Sequence, residues 1–507
     1  MRKLINTLAS GAALLMAASC NLDLVPEGTL SYDPEQIITN AVDLQGFEAG
    51  VMSSMRSLEY GVYDMVSDVM VDYFNALSDF GNNYGPVHRT DDTFTTGDYE
   101  IEDNWAGPYN AILHFNIFIN GAQKVPAELA ADAAVARGEA YFGRAFAYMH
   151  LTRHFGKAYN TSTADTDLSV PLVTKYEQTA RPKRATVQAV YDQIKSDLDS
   201  AAVLLANVPG AVRAQKPTID AVKAMYARYY LDVKEYAKAA EYAAGLVDSD
   251  VYQLSETDAQ MNEEWVHDNG TEPILQYFAT LGTEGGYGSH AIYTYMGLDN
   301  DSHDGLYFDP YFIPSKKLVD AYDDTDLRKN NWFADSLAVK VQGDFVDNIV
   351  VFTKYIGNPA FSTSFASTGV YPGTNARKPL MIGEMYLIAA EAYQAIGISA
   401  LAGKYLNALQ AKRGAATTAV SEKIIQDEWY KETVGEGLRF SCLKRWGIGF
   451  EGRPCQDAAK DIVASGSAYA QKVMKADDYH FQWPVPTYEM QTNLNLVQNE
   501  GYESLGK

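Results

Sequence analysis

The sequence predicts a mostly α-helical fold, in which tetratricopeptide-like helix pairs form a scaffold for long, irregular, aromatic-rich loop insertions. Three observations support this prediction. Apolar residues recur at helical spacing through several segments, two helix pairs repeat one pattern of small residues and tyrosine, and two aromatic-rich stretches have neither a helical nor a strand period. A chain of 507 residues that is 47% hydrophobic and 21% charged has the composition of a folded globular protein.

The N-terminus has the order of a secretory signal peptide: two cations, an apolar run at residues 8–18, and then small residues. The run is too short for a permanent membrane-spanning helix. The sequence AASC at residues 17–20 resembles the lipobox of bacterial lipoproteins, in which the cysteine is acylated. We therefore expect a lipoprotein signal peptide at 1–19, a lipid anchor on Cys20, a tether at 20–31 and a folded body at 32–507. The alternative is an ordinary signal peptide with an unmodified cysteine.

The longest predicted helix covers residues 132–155, where apolar side chains keep helical spacing, proline is missing and Gly156 follows. Residues 157–184 lose this periodicity and contain Pro171 and Pro182. Helical spacing then returns in six segments: 186–207, 218–231, 235–248, 379–396, 399–413 and 421–435.

Two of the predicted helix pairs repeat each other. Ala227, Tyr230 and Ala239 have the same spacing as Ala390, Tyr393 and Ala402. In tetratricopeptide-like repeats the small residues let paired helices approach, and the tyrosine fills the gap between them. The pairs at about 186–248 and 379–413 are therefore predicted to form the scaffold.

Two stretches, at about 60–110 and 277–312, mix tyrosine, phenylalanine and tryptophan with Asp, Asn and Gly and show no sustained period. The whole chain has 35 tyrosines, which supply flat apolar area with a hydroxyl group. Long irregular loops on a rigid frame commonly carry binding function. These two stretches are predicted to form the ligand regions.

Charge and motifs exclude several function classes. The formal net charge is -24 and no basic run is present, so nucleic acid is not expected as a partner. No phosphate loop, dinucleotide fingerprint or GxSxG motif occurs, and no cofactor is predicted. His150 and His154 share a helix face but lack the glutamate of a zinc protease, so both are interpreted as structural. Cys442 and Cys455 either form a disulfide or remain separate thiols.

Two acidic clusters have alternative interpretations. Residues 299–305 resemble a calcium loop only superficially, because the glycine is one place late and no Glu closes the loop. A solvated turn is preferred, and no metal is predicted. Glu428, Glu432 and Glu436 lie four residues apart, close to several cations, and are interpreted as a structural ion-pair network. Catalytic carboxylates of a glycosidase are the alternative.

Four segments in chain order carry a resemblance to a known family: CNLDLVP at 20–26; GEAYFGRAFAY and FG within 138–156; EMYLIAAE, the three Glu residues, EGLR and RWG within 384–447; and PVP, Glu489 and QNEGY within 484–502. Together they are similar to the SusD/RagB family, surface lipoproteins of Bacteroidetes that capture nutrients for a TonB-dependent outer-membrane transporter. Trp429, Thr433 and Cys442 depart from the family pattern.

The resemblance implies a predominantly helical fold with four tetratricopeptide-like units and a loop-built ligand surface. It also implies binding without catalysis, and a lid-like association with a SusC-type transporter barrel at the cell surface. The usual ligands of the family are oligosaccharides, although some members handle peptides. The resemblance further favours the structural interpretation of the three Glu residues.

Sugar recognition needs exposed aromatic rings for the apolar C–H faces, next to polar side chains for the hydroxyls. Both ligand regions offer such residues. The predicted ligand-binding residues are Tyr73, Phe74, Asn75, Phe80, Asn82, Asn83 and Tyr84 in the first region, and Tyr287, Tyr293, Tyr295 and Tyr307 in the second.

The predicted function is that of a lipid-anchored, outer-membrane glycan-binding protein, which delivers an oligosaccharide to a SusC-type transporter and breaks no bond. Two alternatives stay open at this point. The same scaffold can bind oligopeptides, which ligand screening would reveal, or the protein can be a surface glycoside hydrolase, which would release reducing ends.

Overall fold

The computed structural model describes residues 37–59, 62–177, 179–284, 293, 295–303 and 305–502, so the predicted signal peptide, Cys20 and the tether lie outside the described residues. Helices dominate, which confirms the mostly α-helical fold. They are α1 (Ala41–Ser57), α2 (Val62–Met70), α3 (Gly85–Arg89), α4 (Tyr99–Gly121), α5 (Ala130–Phe155), α6 (Val187–Leu204), α7 (Ile219–Asp232), α8 (Tyr236–Val247), α9 (Asp258–Trp265), α10 (Leu281–Glu284), α11 (Lys316–Val319), α12 (Leu327–Trp332), α13 (Phe365–Thr368), α14 (Ile382–Ala395), α15 (Ser399–Lys412), α16 (Glu422–Glu432), α17 (Arg439–Trp446) and α18 (Thr487–Thr492).

Consecutive helices of the scaffold pack side by side in one continuous array. Helix α5 lies between α4 and α6, α7 packs on α6 and α8, and α14 joins α8 to α15. Buried ion pairs tie neighbours together: Arg144 on α5 contacts Asp197 on α6 at 2.6 Å, and Arg228 on α7 contacts Glu384 on α14 at 2.6 Å. The array thus gives the loops a rigid base.

The repeated pattern of the two helix pairs has a repeated packing. Ala227, Ala239, Ala390 and Ala402 are fully buried, as close helix approach requires. The rings of Tyr230 and Tyr242 stack 5.7 Å apart at 12°. The rings of Tyr393 and Tyr405, also twelve positions apart in the sequence, stack 5.8 Å apart at 6°. Both pairs therefore fill the gap between two helices with the same tyrosine contact.

Short strands complete the fold. They are β1 (Phe74–Ala76), β2 (Leu168–Pro171), β3 (Arg184–Thr186), β4 (Pro273–Leu275), β5 (Met296–Asp299), β6 (Gly305–Phe308), β7 (Phe312–Pro314), β8 (Phe333–Ala334), β9 (Val339–Val341), β10 (Asp344–Val346), β11 (Val351–Phe352), β12 (Leu380–Met381), β13 (Phe450–Glu451) and β14 (Val473–Met474). Four of them form a sheet in the order β10-β9-β6-β5, and the pairs β1-β7, β2-β3, β4-β12, β8-β11 and β13-β14 form small ribbons.

The loop-rich regions predicted at about 60–110 and 277–312 also contain short regular elements. The first stretch contains α2, β1, α3 and the start of α4, and the second contains α10, β5, β6 and the first residue of β7. The strands have only three or four residues each, which is too short to produce a readable alternation. In addition, β1 and β7 pair with each other across more than two hundred residues.

Two apolar cores support these elements. The larger one lies among the helices, and the smaller one lies under the four-stranded sheet and includes Leu77, Phe308 and Val339. Cys442 is buried, Cys455 is partly exposed, and the two thiols are not bonded to each other. Within the described residues, no helix is both long and apolar enough to cross a membrane.

Candidate ligand-binding surface

The fold brings the two predicted ligand regions together. Strand β1 of the first region pairs antiparallel with β7 of the second, so that Phe74 lies opposite Pro314 and Ala76 lies opposite Phe312. The backbone amide of Leu77 then donates to the carbonyl of Tyr311 at 2.9 Å. The segments that leave this ribbon therefore emerge next to each other.

Three predicted aromatic residues belong to the core rather than to a surface. Tyr73, Phe74 and Tyr293 are fully buried. The rings of Phe74 and Tyr293 stack 4.4 Å apart, and the Tyr73 hydroxyl donates to the carbonyl of Tyr430 at 3.0 Å. The prediction that they form exposed platforms is wrong, because all three rings are packed among other aromatic side chains in the core.

Asn75 and Phe80 are buried as well. The Asn75 amide donates to the carbonyl of Arg453 at 2.7 Å, which fixes the ribbon to the chain beyond α17. The Phe80 ring packs edge-on against Phe312, with ring centres 5.9 Å apart. Both residues hold the base of the surface, and neither side chain is placed to contact a ligand.

The turn that follows Phe80 reaches the surface, as the sequence predicts. Asn82 is exposed, and Asn83 and Tyr84 are half-buried. The Asn83 amide donates to the carbonyl of Phe80 at 2.7 Å. Tyr84 has φ +53°, a left-handed conformation that is uncommon for a bulky residue. Backbone strain of this kind clusters at functional sites.

Three residues outside the predicted set complete this surface. Tyr99, the first residue of α4, is 51% exposed and its ring lies 6.1 Å from that of Tyr84. Arg89, at the end of α3, donates to the Asn82 side-chain oxygen at 2.7 Å and lies 3.4 Å from the Tyr469 hydroxyl. We call Asn82, Asn83, Tyr84, Arg89, Tyr99 and Tyr469 the tyrosine surface.

The sequence contained a signal for two of the missed residues. Tyr99 directly follows the extended N-cap residue Asp98, where a first-turn side chain commonly faces solvent. Tyr469 lies in a Gly-Ser-Ala-Tyr-Ala segment, a composition typical of recognition loops. Nothing in the local sequence places Tyr469 beside Arg89, because that contact spans most of the chain.

The tyrosine surface can donate and accept hydrogen bonds at neutral pH. Burial, together with the neighbouring Glu100 carboxylate, raises the pKa of Tyr99, so its hydroxyl stays protonated. Burial also raises the pKa of Glu100 to about 7. Arg89 supplies a guanidinium group and Asn82 an amide. Aromatic rings flanked by such groups match the apolar faces and polar rims of a sugar.

A second aromatic patch lies on the four-stranded sheet. Tyr307 on β6 is half-buried and lies opposite Gly297 of β5, where a Cβ atom would be only 2.2 Å from the tyrosine ring. Glycine at this position therefore lets the ring lie across the neighbouring strand. His303 and Phe345 stack 4.0 Å apart, and Lys340 lies 5.2 Å from the Tyr307 ring centre.

The remaining predicted residues contribute less. Tyr295 is half-buried, and its carbonyl accepts from the amide of Asp309 at 2.8 Å. Tyr287 lies outside the described residues. Asp299 accepts from the backbone amides of Asp301 and Ser302, as the side chain of a turn does. Among the described residues, no cluster of three His, Cys, Asp or Glu side chains could hold a metal ion.

The three Glu residues at four-residue spacing form ion pairs, in which Glu428 and Glu432 are buried and Glu436 is half-buried. Glu428 contacts Arg328 at 2.7 Å, Glu432 contacts Arg413 at 2.5 Å, and Glu436 contacts Lys354 at 2.6 Å. A glycosidase needs two carboxylates that face the substrate from both sides of the scissile bond. These carboxylates instead face cations, which is the arrangement of a structural ion-pair network. His150, which is half-buried, is hydrogen-bonded to Asn104, and the buried His154 is hydrogen-bonded to Ser67.

Most of the chain matches known protein families. Residues 34–231 match a family model described as starch-binding and associating with outer membrane, and residues 258–502 match the SusD family model. A SusD-like protein of Formosa agariphila is 26% identical, over 96% of this chain and 98% of that protein.

Solved structures share the fold. A SusD superfamily protein of Bacteroides thetaiotaomicron superposes with a TM-score of 0.74 at 24% identity, over 90% of this chain and 99% of that one. Surface glycan-binding protein A of Bacteroides fluxus superposes with a TM-score of 0.69 at 18% identity, over 92% of this chain and 100% of that one.

Proposed function

Because the chain belongs to the SusD/RagB family, we propose that it is a cell-surface lipoprotein that binds an oligosaccharide and delivers it to a SusC-type TonB-dependent transporter. The ligand binds by stacking and hydrogen bonds, and no bond is broken. The family model that matches the first half of the chain is described as starch-binding, and one protein of the same fold is named for glycan binding.

The observation that carries the proposal is the tyrosine surface. Tyr84 and Tyr99 present neighbouring rings inclined at 49°, so two successive sugar units can each rest on one ring. Arg89 holds Asn82 beside them and leaves polar groups at the edge of the platform. Rings that are fixed before the ligand arrives lose little entropy on binding. Tyr307 and its aromatic neighbours on the sheet form a second contact area of the same kind.

Two features support a location at the outer membrane. Lipidation at Cys20 would fix the N-terminus of the mature chain to a membrane, since each buried CH₂ contributes about 0.8 kcal/mol. The matching family model is described as associating with outer membrane. Delivery to a SusC-type transporter is inferred from the family membership.

Titration calorimetry with starch, laminarin, xylan and galactomannan tests the binding function. We expect the chain from residue 21 to bind one of these polysaccharides. Tyr99→Ala should weaken that binding by about tenfold or more, as expected when an aromatic anchor is truncated. Tyr176→Ala is the matched control, because Tyr176 is 52% exposed but belongs to neither aromatic patch; it should bind as the wild type does.

Equal weakening by Tyr99→Ala and Tyr176→Ala would contradict the tyrosine surface as the site. Binding of peptides, with no polysaccharide bound, would favour the oligopeptide alternative. Reducing ends that accumulate with pure protein, but not with a Glu428→Gln variant, would establish the hydrolase alternative instead.

A further inference from the structure

A groove of about 620 Å³, open to solvent, lies away from the tyrosine surface. Its walls come from the segment after α5, the C-terminal end of α17, and the turn Tyr479–Phe481. None of the six residues of the tyrosine surface lines it. Its volume lies within the 300–1000 Å³ of a typical ligand pocket, which is enough for a short oligosaccharide segment.

Tyr479 forms a rigid aromatic platform in this groove. It is 42% exposed, one face of its ring stacks on His480 at 3.9 Å, and Tyr502 packs edge-on at 4.9 Å. Gly501 has φ +89°, and a Cβ atom there would lie only 2.5 Å from the ring. Glycine therefore permits the close approach that fixes the ring. The ring is thus held in one orientation while part of it stays exposed, as a preformed stacking platform requires.

Two further aromatic rings line the same groove and are fixed in a similar way. The Trp446 indole donates to Glu391 at 2.9 Å. The Tyr159 hydroxyl donates to Gln188 at 2.6 Å, and the Tyr159 ring packs edge-on against Tyr191 at 5.4 Å. Three rings held by their own partners present a preformed surface, which lowers the entropy cost of binding.

The charge of the groove indicates an uncharged ligand. Its lining contains four Lys or Arg side chains and four carboxylates, so its formal charge is zero, in a chain of net charge -24. Balanced donors and acceptors around aromatic rings suit hydroxyl groups, whereas a strongly anionic or cationic chain gains nothing from them.

A second groove borders the first. It has a volume of about 620 Å³, shares Ala476 with the first groove, and is lined by both strands of the β13-β14 ribbon, including Phe450 and the 49% exposed Val473. Saccharide units on either side of a bound segment would therefore meet further apolar surface.

From these observations we propose that the groove containing Tyr159, Trp446 and Tyr479 is a second saccharide-binding site, which holds an uncharged oligosaccharide segment. Its ligand class rests on the proposed function. Two sites on one molecule raise the apparent affinity for a polysaccharide that reaches both sites, by about a hundredfold or more. The protein would then hold a long chain more tightly than a short one.

Affinity electrophoresis tests the second site, with the mature chain run through gels that contain starch, laminarin, xylan or galactomannan. In the gel that retards the wild type, Tyr479→Ala should weaken retardation by about tenfold. The double variant Tyr99→Ala/Tyr479→Ala should lose the residual binding that Tyr99→Ala keeps. Tyr479→Phe should behave as the wild type, and Tyr159→Ala should repeat the loss. Circular dichroism checks that each variant is folded.

Each outcome separates the two proposals. Retardation that is lost with Tyr99→Ala and unchanged with Tyr479→Ala and Tyr159→Ala overturns the second site and leaves the proposed function intact. Loss with Tyr479→Ala and Tyr159→Ala, but not with Tyr99→Ala, supports the groove and overturns the tyrosine surface. No retardation of the wild type in any gel overturns both.

Discussion

At the residue scale, Arg413 shows how carboxylates are accommodated inside this protein. Its guanidinium group is fully buried and contacts Glu272 at 2.7 Å and Glu432 at 2.5 Å. Arg328, also buried, contacts Glu432 from the other side at 2.8 Å. Buried charges are tolerated only when each has such partners. Removal of one member would therefore leave its partners as incompletely compensated buried charges.

Arg413→Met should destabilise the protein by about 3–5 kcal/mol, because it leaves Glu272 and Glu432 as incompletely compensated buried charges. Urea unfolding followed by circular dichroism measures this change. The adjacent Lys412 provides a matched control, since its ion pair with Glu256 is about half exposed. Lys412→Met should change the free energy of unfolding by about 1 kcal/mol or less. A similarly small loss of unfolding free energy in both variants would show that the buried network adds little to stability.

The sequence predicts the type of the site residues better than their burial. Tyr73 and Tyr84 lie in one short aromatic segment, yet Tyr73 is in the core and Tyr84 lines the surface. The difference arises because β1 pairs with β7, a contact across more than two hundred residues that local sequence does not encode. Asn82 and Asn83 favour a turn by themselves, and their place next to the surface was predictable.

At the scale of elements, the contact between α1 and α5 contains a pair of carboxyl groups. Glu139 on α5 is buried close to Glu48 on α1, and Lys216 contacts Glu48. Burial, and then the Glu48 charge, raise the pKa of Glu139 from 4.5 to about 8, although Lys216 acts in the opposite direction. Glu139 therefore keeps its proton in the folded protein at neutral pH.

This contact should make stability depend on pH. Between about pH 4.5 and pH 8 the folded state holds the Glu139 proton and the unfolded chain releases it. The contribution of this proton to the free energy of unfolding is therefore complete below about pH 4.5 and is lost as the pH rises towards 8. The free energy of unfolding of Glu139→Gln minus that of the wild type should therefore be about 2–4 kcal/mol higher at pH 8 than at pH 5. Urea unfolding at both pH values measures this difference.

The exposed Glu128 serves as the control for this prediction, because it lies just before α5 and faces solvent. Glu128→Gln should follow the wild-type dependence on pH. If Glu139→Gln follows it too, Glu139 is not the group that holds the proton.

Helices and strands differ in how far the sequence predicts them. The helices α5 to α8, α14 and α15 begin and end within about three residues of the predicted segments, because their hydrophobic period extends over several turns. The repeated alanine and tyrosine pattern also predicted two helix pairs that pack alike. The sequence did not predict the ribbons, because strands of two to four residues contain no full period. In β1-β7 and β4-β12 the partner strand also lies more than a hundred residues away.

At the scale of the whole molecule, the scaffold supplies rigidity and the connecting segments supply the proposed binding surfaces. Helix pairs joined by buried ion pairs form a rigid array, and the two proposed saccharide sites are built from the segments between and after these helices. Removal of the proposed signal peptide at residues 1–19 would take away two cations and no anion, and would leave a formal charge of -26. Such a surface repels anionic lipid headgroups, so attachment to a membrane would depend on the proposed lipid on Cys20.

This dependence on one cysteine gives a direct test of the proposed location. Cys20→Ser should move the protein from the membrane fraction to the soluble fraction after ultracentrifugation of the producing bacteria. The variant should still bind polysaccharide as the wild type does, since every residue of the tyrosine surface lies at position 82 or later in the folded body. Mass spectrometry of the wild type should show acyl chains on the mature N-terminal cysteine. A Cys20→Ser variant that stays with the membrane would show that another part of the chain, or a partner protein, provides the attachment.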